Sequence, residues 1–362
     1  MATCARTRSS NSEWLVRVLA MTAFIVIGLP GWSVRAQQPA RAKRWTQPRT
    51  PDGRPDFQGS WTNATLTPLQ RPAGQQRALT QEQVEKLEKI RADTIEKLSR
   101  SSDPNRTAPP KGGDGSTGAA GMVGGYNYFW IDAGDRVAIV NGEHRSSLIV
   151  DPPDGRIPAT TPQARERQMA RMESNRKFGA FDNPENRPIA ERCIMSFGSN
   201  AGPPMLPNYF YNNNYTIVQT KDHVMILTEM VHDARIIRLG GPKERLPKHI
   251  RPWMGQSFGR WEADTLVVET TNIHPLQGFG GASEDLKVIE RFHRADETTI
   301  LYRFTIDDPS TYTKPWSGEV PFKAMNELIY EYACHEGNYA LSNILSGARA
   351  QERDSLAKKP EQ

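Results

Sequence analysis

From Tyr215 onward, apolar and polar side chains alternate in short bursts. "YTIVQT", "HVMILTEM", "ARIIRLG", "RWEADTLVVETTN", "KVIERFHR", "TILYRFTID" and "WSGEVPFKAM" follow one another with brief turns between them. Alternation of period two over six or more runs, with no helical pattern in between, predicts an antiparallel meander closing into a barrel or sandwich. Two of its hairpins can be given a register. A turn at Ala263-Asp264 sets Trp261 across from Leu266, at about 1 kcal/mol for an alanine where φ is positive. A turn at Asp296-Glu297 sets Arg294 opposite Thr299, Phe292 opposite Leu301 and Glu290 opposite Arg303, so Glu290 gains a cross-strand cation. Treated as one strand, "HVMILTEMVHDAR" places Val224, Ile226, Thr228, Met230 and His232 on one face. Met225, Leu227, Glu229, Val231, Asp233 and Arg235 fall on the other. Both faces are apolar for most of its length, so a carboxylate at Glu229 or Asp233 needs a partner, and Arg235 is the nearest.

Upstream the pattern is looser. "FQGSWTNAT" is strand-like, and "LTQEQVEKLEKIRADTIEKLSR" predicts a helix with Thr80 and Gln83 as a capping box and an apolar stripe through Val84, Leu87, Ile90, Ile95 and Leu98. "SSDPNRTAPPKGGDGSTGAAGMVGG" is glycine-rich and reads as a flexible loop. Short strands with turns at Asn141-Gly142 and Asp154-Gly155 follow, and then a charged second helix in "TPQARERQMARMESNRKFG". The expected architecture is mainly β. It has an irregular, partly helical N-terminal arm over 37–190, an antiparallel β-domain over 191–345 and a polar tail over 346–362.

The first 36 residues change the charge picture. Arginines at 6, 8 and 17 precede an apolar run from Val18 to Leu29 and small residues around Ala36, the layout of a secretory signal, and the run is short for a membrane span. Removing residues 1–36 takes away four arginines and one glutamate, so the formal charge of +5 falls to +2. No basic stripe with interleaved aromatics remains, which argues against nucleic acid as a partner, and no membrane span is expected after the signal is removed. Cys193 and Cys334 are the cysteines beyond that point, and in an exported, oxidising compartment such a pair predicts a disulfide. The expected localisation is periplasmic or secreted.

"YNNNYTIVQT", "EMVHDARIIR", "GRWEADTLVVETTN" and "YEYACHEGNYAL" resemble a widespread family of exported bacterial proteins of unassigned function, over most of the mature chain. The family's usual wording has glycine where this chain has Ala263. The strand meander is also similar to lipocalin-type barrels. The resemblance implies export and a shared fold, and brings no activity with it.

Chemistry is sparse and concentrated. "GDGSTG" satisfies G-x-G-x-x-G without the preceding strand that a dinucleotide site requires, and "GQSFG" satisfies G-x-S-x-G without the helix that follows a nucleophile elbow. The seven histidines have no metal-ligand spacing, so neither metal nor cofactor is expected. Two stretches stand out. "EMVHDAR" offers His232 as proton carrier, Asp233 as its orienter and Arg235 as an anion stabiliser. "CHEGN" offers His335 and Glu336, drawn by the expected bridge toward Arg192, with Gly337 able to turn the chain. Tyr209, Tyr211, Asn212, Asn213, Asn214 and Tyr215, with Trp261, supply rings and amides suited to a sugar or polyphenol. Three functions are open: an acid-base lyase, isomerase or hydrolase working in the barrel mouth, a non-catalytic small-molecule binding protein, or a structural envelope protein. A cavity with converging polar groups favours the first two, and a filled barrel with every polar group paired inside favours the third.

Overall fold

The computed structural model describes residues 45–99, 131–196, 200–207, 210–241, 245–277 and 279–357. The stretch expected as a secretory signal, the glycine-rich stretch with "GDGSTG", and Tyr209 lie outside the described residues. Twelve strands are β1 (Gly59–Thr62), β2 (Ile139–Val140), β3 (Glu143–His144), β4 (Ile149–Asp151), β5 (Asn214–Gln219), β6 (His223–Thr228), β7 (Ala234–Leu239), β8 (Gln256–Glu262), β9 (Thr265–Thr271), β10 (Lys287–Arg294), β11 (Thr299–Asp307) and β12 (Trp316–Met325). The helices are α1 (Gln81–Leu98), α2 (Pro162–Lys177) and α3 (Ala340–Ala357).

Nine strands close a barrel in the order β1-β5-β6-β7-β8-β9-β10-β11-β12, with β12 returning to β1 and β4 added beside β12. The fold is mainly β, as the alternation predicts. A closed ring of nine cannot be antiparallel throughout, because strand directions must alternate around it. One junction has to be parallel, and it is β7 against β8, with Ile237 opposite Ser257. The connection over 240–255 crosses over to allow it, and its sequence carries no helical period that would announce a crossover. Two strands from before residue 190, β1 and β4, belong to the same sheet.

Alternate residues fill the interior. Trp61, Tyr215, Phe292, Tyr302, Phe304, Trp316 and Phe322 are fully buried there and belong to one continuous core. Gly318 faces Phe304, whose ring would lie 2.5 Å from any Cβ at that position, so only glycine fits beneath it. Aromatic side chains therefore occupy the space that these strands enclose.

Inside that core lies a polar knot. Arg235 faces inward, opposite Ile226, and donates two hydrogen bonds to Glu290, at 2.6 and 2.8 Å. Tyr302 donates its hydroxyl to the same carboxylate and accepts from the Met205 amide. Burial works against the Arg235 charge, and the Glu290 carboxylate more than offsets this, leaving the guanidinium above its ordinary value. Removing one partner of such a pair costs about 3–5 kcal/mol, because the other charge is left uncompensated.

The pairing corrects two expectations. Arg235 does not serve Glu229 or Asp233, because β6 stops at Thr228 and the turn that follows resets which side chains face inward. Glu290 lies opposite Phe304 rather than Arg303, and Arg294 lies opposite Ile300. The loop between β10 and β11 is odd-numbered, organised by Asp296, whose carboxylate accepts from the Thr298 amide and hydroxyl. That extra residue shifts the register by one. The turn at Ala263 does place Trp261 opposite Leu266, with Ala263 at φ 49°.

The capping box of α1 is present, with Thr80 and Gln83 exchanging hydrogen bonds. Its inward side is Val84, Glu88 and Arg91 rather than the full apolar stripe, and Leu87 and Ile90 are exposed. Glu88 accepts from Arg136 and from the Val137 amide, and Arg91 donates to the Gly134 carbonyl. The stretch expected as a polar tail carries most of α3, which begins six residues earlier, at Ala340.

Candidate functional site

The β6–β7 connection is where the sequence places its chemistry, and its backbone is unusual. Thr228 donates to the Asp233 carbonyl across a loop in which Val231 (φ 59°) and His232 (φ 48°) are both left-handed. A β-branched residue in that region costs about 1–2 kcal/mol. Two further left-handed non-glycine residues, Cys193 (φ 53°) and Asn212 (φ 54°), lie in the segments packed against this loop. Strain of this kind persists only where surrounding contacts over-determine it, and it gathers at functional sites.

What holds the loop is a small apolar cluster. Met230, Val231 and Cys334 are buried together, with Cys193, Tyr211 and Tyr332 against them. Cys193 and Cys334 form a disulfide that spans 141 residues of chain. The bridge draws the segment after β12 toward the β6–β7 loop, and within that segment Asn338 donates to the Cys334 carbonyl. Gly337 (φ 67°) makes the turn that the sequence permits, with the Asn338 amide bonded to the His335 carbonyl.

His232 and His335 are thereby brought together, their ring centroids 6.3 Å apart. Both are exposed, as is Glu336. Asp233 is half-buried and accepts from the Ser196 amide at 3.0 Å. Burial pushes its carboxyl up to about 6, with the Ser196 amide and His232 pulling partly the other way. Arg192 adjoins the bridge through Cys193.

The other expected residues separate from this group. Arg235 is committed to Glu290 inside the barrel and has no face for a ligand anion. Tyr215 is a core side chain, stacked on Phe322 at 5.2 Å and donating to the Asn200 carbonyl, and burial pushes its hydroxyl far up. Asn213 is buried and donates to the Asp132 carbonyl. Trp261 ends β8, at the opposite end of the barrel from the start of β5, and stacks on Phe57 at 5.7 Å. Ser257 bonds Thr270 within the barrel, consistent with a structural serine.

The opening in this region is a cleft of about 600 Å³ on the outside of the barrel. Thr62, Asn214 and Met325 form its floor. Thr62 and Asn214 are neighbours in sequence of the inward Trp61 and Tyr215, so they point outward. The segment after β12 forms a wall with Glu327, Tyr330, Glu331 and Tyr332, and the opposite wall holds Asp132, Tyr211, Asn212 and Glu229. Glu229 is almost fully buried and accepts from both Asn212 and Asn214. Burial pushes the Asp132 carboxyl above its ordinary value. The Gly134 amide opposes this, and Glu229 and Asp135 add to it. Of the expected binding residues the cleft contains Tyr211. Asn212 and Asn214 come from the same run of rings and amides, whereas Asp132, Tyr330, Glu331 and Tyr332 carry no such mark in the sequence. Asn212 stood in the quoted "NNN" run and Glu331 and Tyr332 beside the cysteine, but nothing in the sequence shows that a disulfide would set these two stretches face to face.

Comparison with protein-family models, curated proteins and solved structures finds no match to this chain.

Proposed function

We propose that this chain is an exported protein that binds a small polar organic molecule in the cleft on the outside of the barrel. The observation that carries this is the cleft itself, about 600 Å³ in volume and walled by tyrosine rings, asparagine amides and carboxylates. Flat rings with a few fixed polar groups are how proteins hold sugars and similar ligands. The filled barrel moves the expected ligand from the interior to its outer wall. Export rests on the signal-like first 36 residues and on the bridge, which an oxidising compartment favours.

Ligand-shift melting of the purified protein against sugars, amines and aromatic acids tests this reading. At least one class should raise Tm by a few degrees. Tyr330→Ala and Glu331→Ala, both at exposed positions, should weaken its binding at least fivefold with the unliganded Tm unchanged. Ligands that bind these variants as well as the wild type, or no binding at all, would remove the cleft as the site.

A second reading is favoured by the paired imidazoles beside Asp233. Placed 6.3 Å apart, His232 and His335 suit a general base and its complementary acid, with Asp233 orienting His232 and Arg192 near any developing anion. Once a turned-over substrate is in hand, His232→Ala and His335→Ala should each abolish turnover while Tm stays within a few degrees. Retained turnover would mark both as surface residues.

A further inference from the structure

We infer that the ligand of the outer cleft is an organic ammonium, a protonated amine held by carboxylates and tyrosine rings. The inference rests on the small-molecule reading above and names its chemical class.

Charge is the first argument. Asp132, Glu229, Glu327 and Glu331 all line the cleft, and no lysine or arginine does among the described residues. Arg91 acts on Asp132 from nearby, but its guanidinium donates to the Gly134 carbonyl and does not line the cleft. An anionic ligand would meet only like charge, whereas a cation would relieve the mutual repulsion of these groups.

Hydrogen-bond polarity is the second. Asn212 and Asn214 each donate one side-chain N–H to Glu229, so part of the wall's donor capacity is already taken by its own carboxylate. Glu327 and Glu331 line the same cleft at exposed positions and are acceptors only when ionised. A ligand with several N–H donors can bond them, and a quaternary ammonium cannot.

The rings are the third. Tyr211, Tyr330 and Tyr332 bring three aromatic rings to one cleft, and a cation near such a ring is attracted by its quadrupole. A bare metal ion fits less well, because among the described residues no three carboxylate, imidazole or thiol groups converge closely enough to hold one. What remains is a positive charge on an organic body large enough to fill part of 600 Å³.

A matched set of probes separates charge from shape: glucosamine, N-acetylglucosamine, glucuronate and putrescine, titrated calorimetrically into the purified protein at neutral pH and low salt. Glucosamine or putrescine should bind at least tenfold more tightly than the neutral and anionic sugars. Glu331→Gln, at an exposed position, and Glu229→Gln should each reduce that preference several-fold. Should Glu229→Gln fail to fold, Glu331→Gln and Asp132→Asn carry the same comparison. Equal binding of glucosamine and N-acetylglucosamine, or a preference that the carboxamide variants leave intact, overturns the ammonium while keeping the small-molecule cleft. Failure of every probe to bind overturns both.

Discussion

Asp233 gives the β6–β7 loop a pH signature that can be separated from the rest of the molecule. Its folded carboxyl titrates at about 6 against an ordinary 3.8. Between those values the unfolded chain has released this proton and the folded chain still holds it, so deprotonation favours unfolding. The stabilising protonated form is fully present below about pH 4, and its contribution is lost as pH rises through about 6. This contribution is at most about 3 kcal/mol, reduced because the group is partly exposed. Asp233→Asn keeps an acceptor for the Ser196 amide and has no proton to lose. The Tm of this variant minus that of the wild type should therefore grow between pH 4 and 6.5 and level off above 7. A difference independent of pH would mean that Asp233 is solvated. Residue identities in this loop were legible in the sequence, but their orientation was not. Val231 and His232 adopt a left-handed backbone that no propensity favours, and the apolar cluster around the bridge imposes it.

Among the elements, the segment between β12 and α3 depends most on a single covalent link. Residues 327–339 form no strand or helix and supply one wall of the cleft, and Cys334 ties them to Cys193. Closing a loop of this length contributes up to about 5 kcal/mol on the chain-entropy view. Reductant should lower the wild-type Tm and weaken ligand binding in the cleft, while a Cys193→Ser/Cys334→Ser variant should start low and be indifferent to reductant. A wild-type protein unmoved by reductant would show that the wall stands without the bridge. Element existence was well marked in the sequence, by alternation in the strands and by the capping box in α1. Register was legible where a turn had two residues, at Ala263-Asp264, and not where a side chain such as Asp296 organised an odd loop.

At the scale of the whole molecule, the sequence announces a barrel and misplaces its business end. Alternation reveals which side chains face inward, and large inward rings fill the space that a lipocalin-like reading reserves for a ligand. A cleft on the outer wall has no such periodic mark. It arises from chain segments far apart in sequence, around Asp132, Asn212, Glu229 and Glu331, meeting on the outside of β12, β1 and β5. The buried pairing of Arg235 with Glu290 was hidden for the same reason, since the two residues lie 55 positions apart.

The single parallel junction gives this barrel a parting line. Every other boundary from β5 to β12 joins antiparallel neighbours, even β9 to β10 across the fifteen residues 272–286, whereas β7 and β8 run the same way and meet through the crossover over 240–255. Parallel pairing is slightly weaker per residue than antiparallel, and a ring opened at that seam would unroll into a sheet with every antiparallel pair intact.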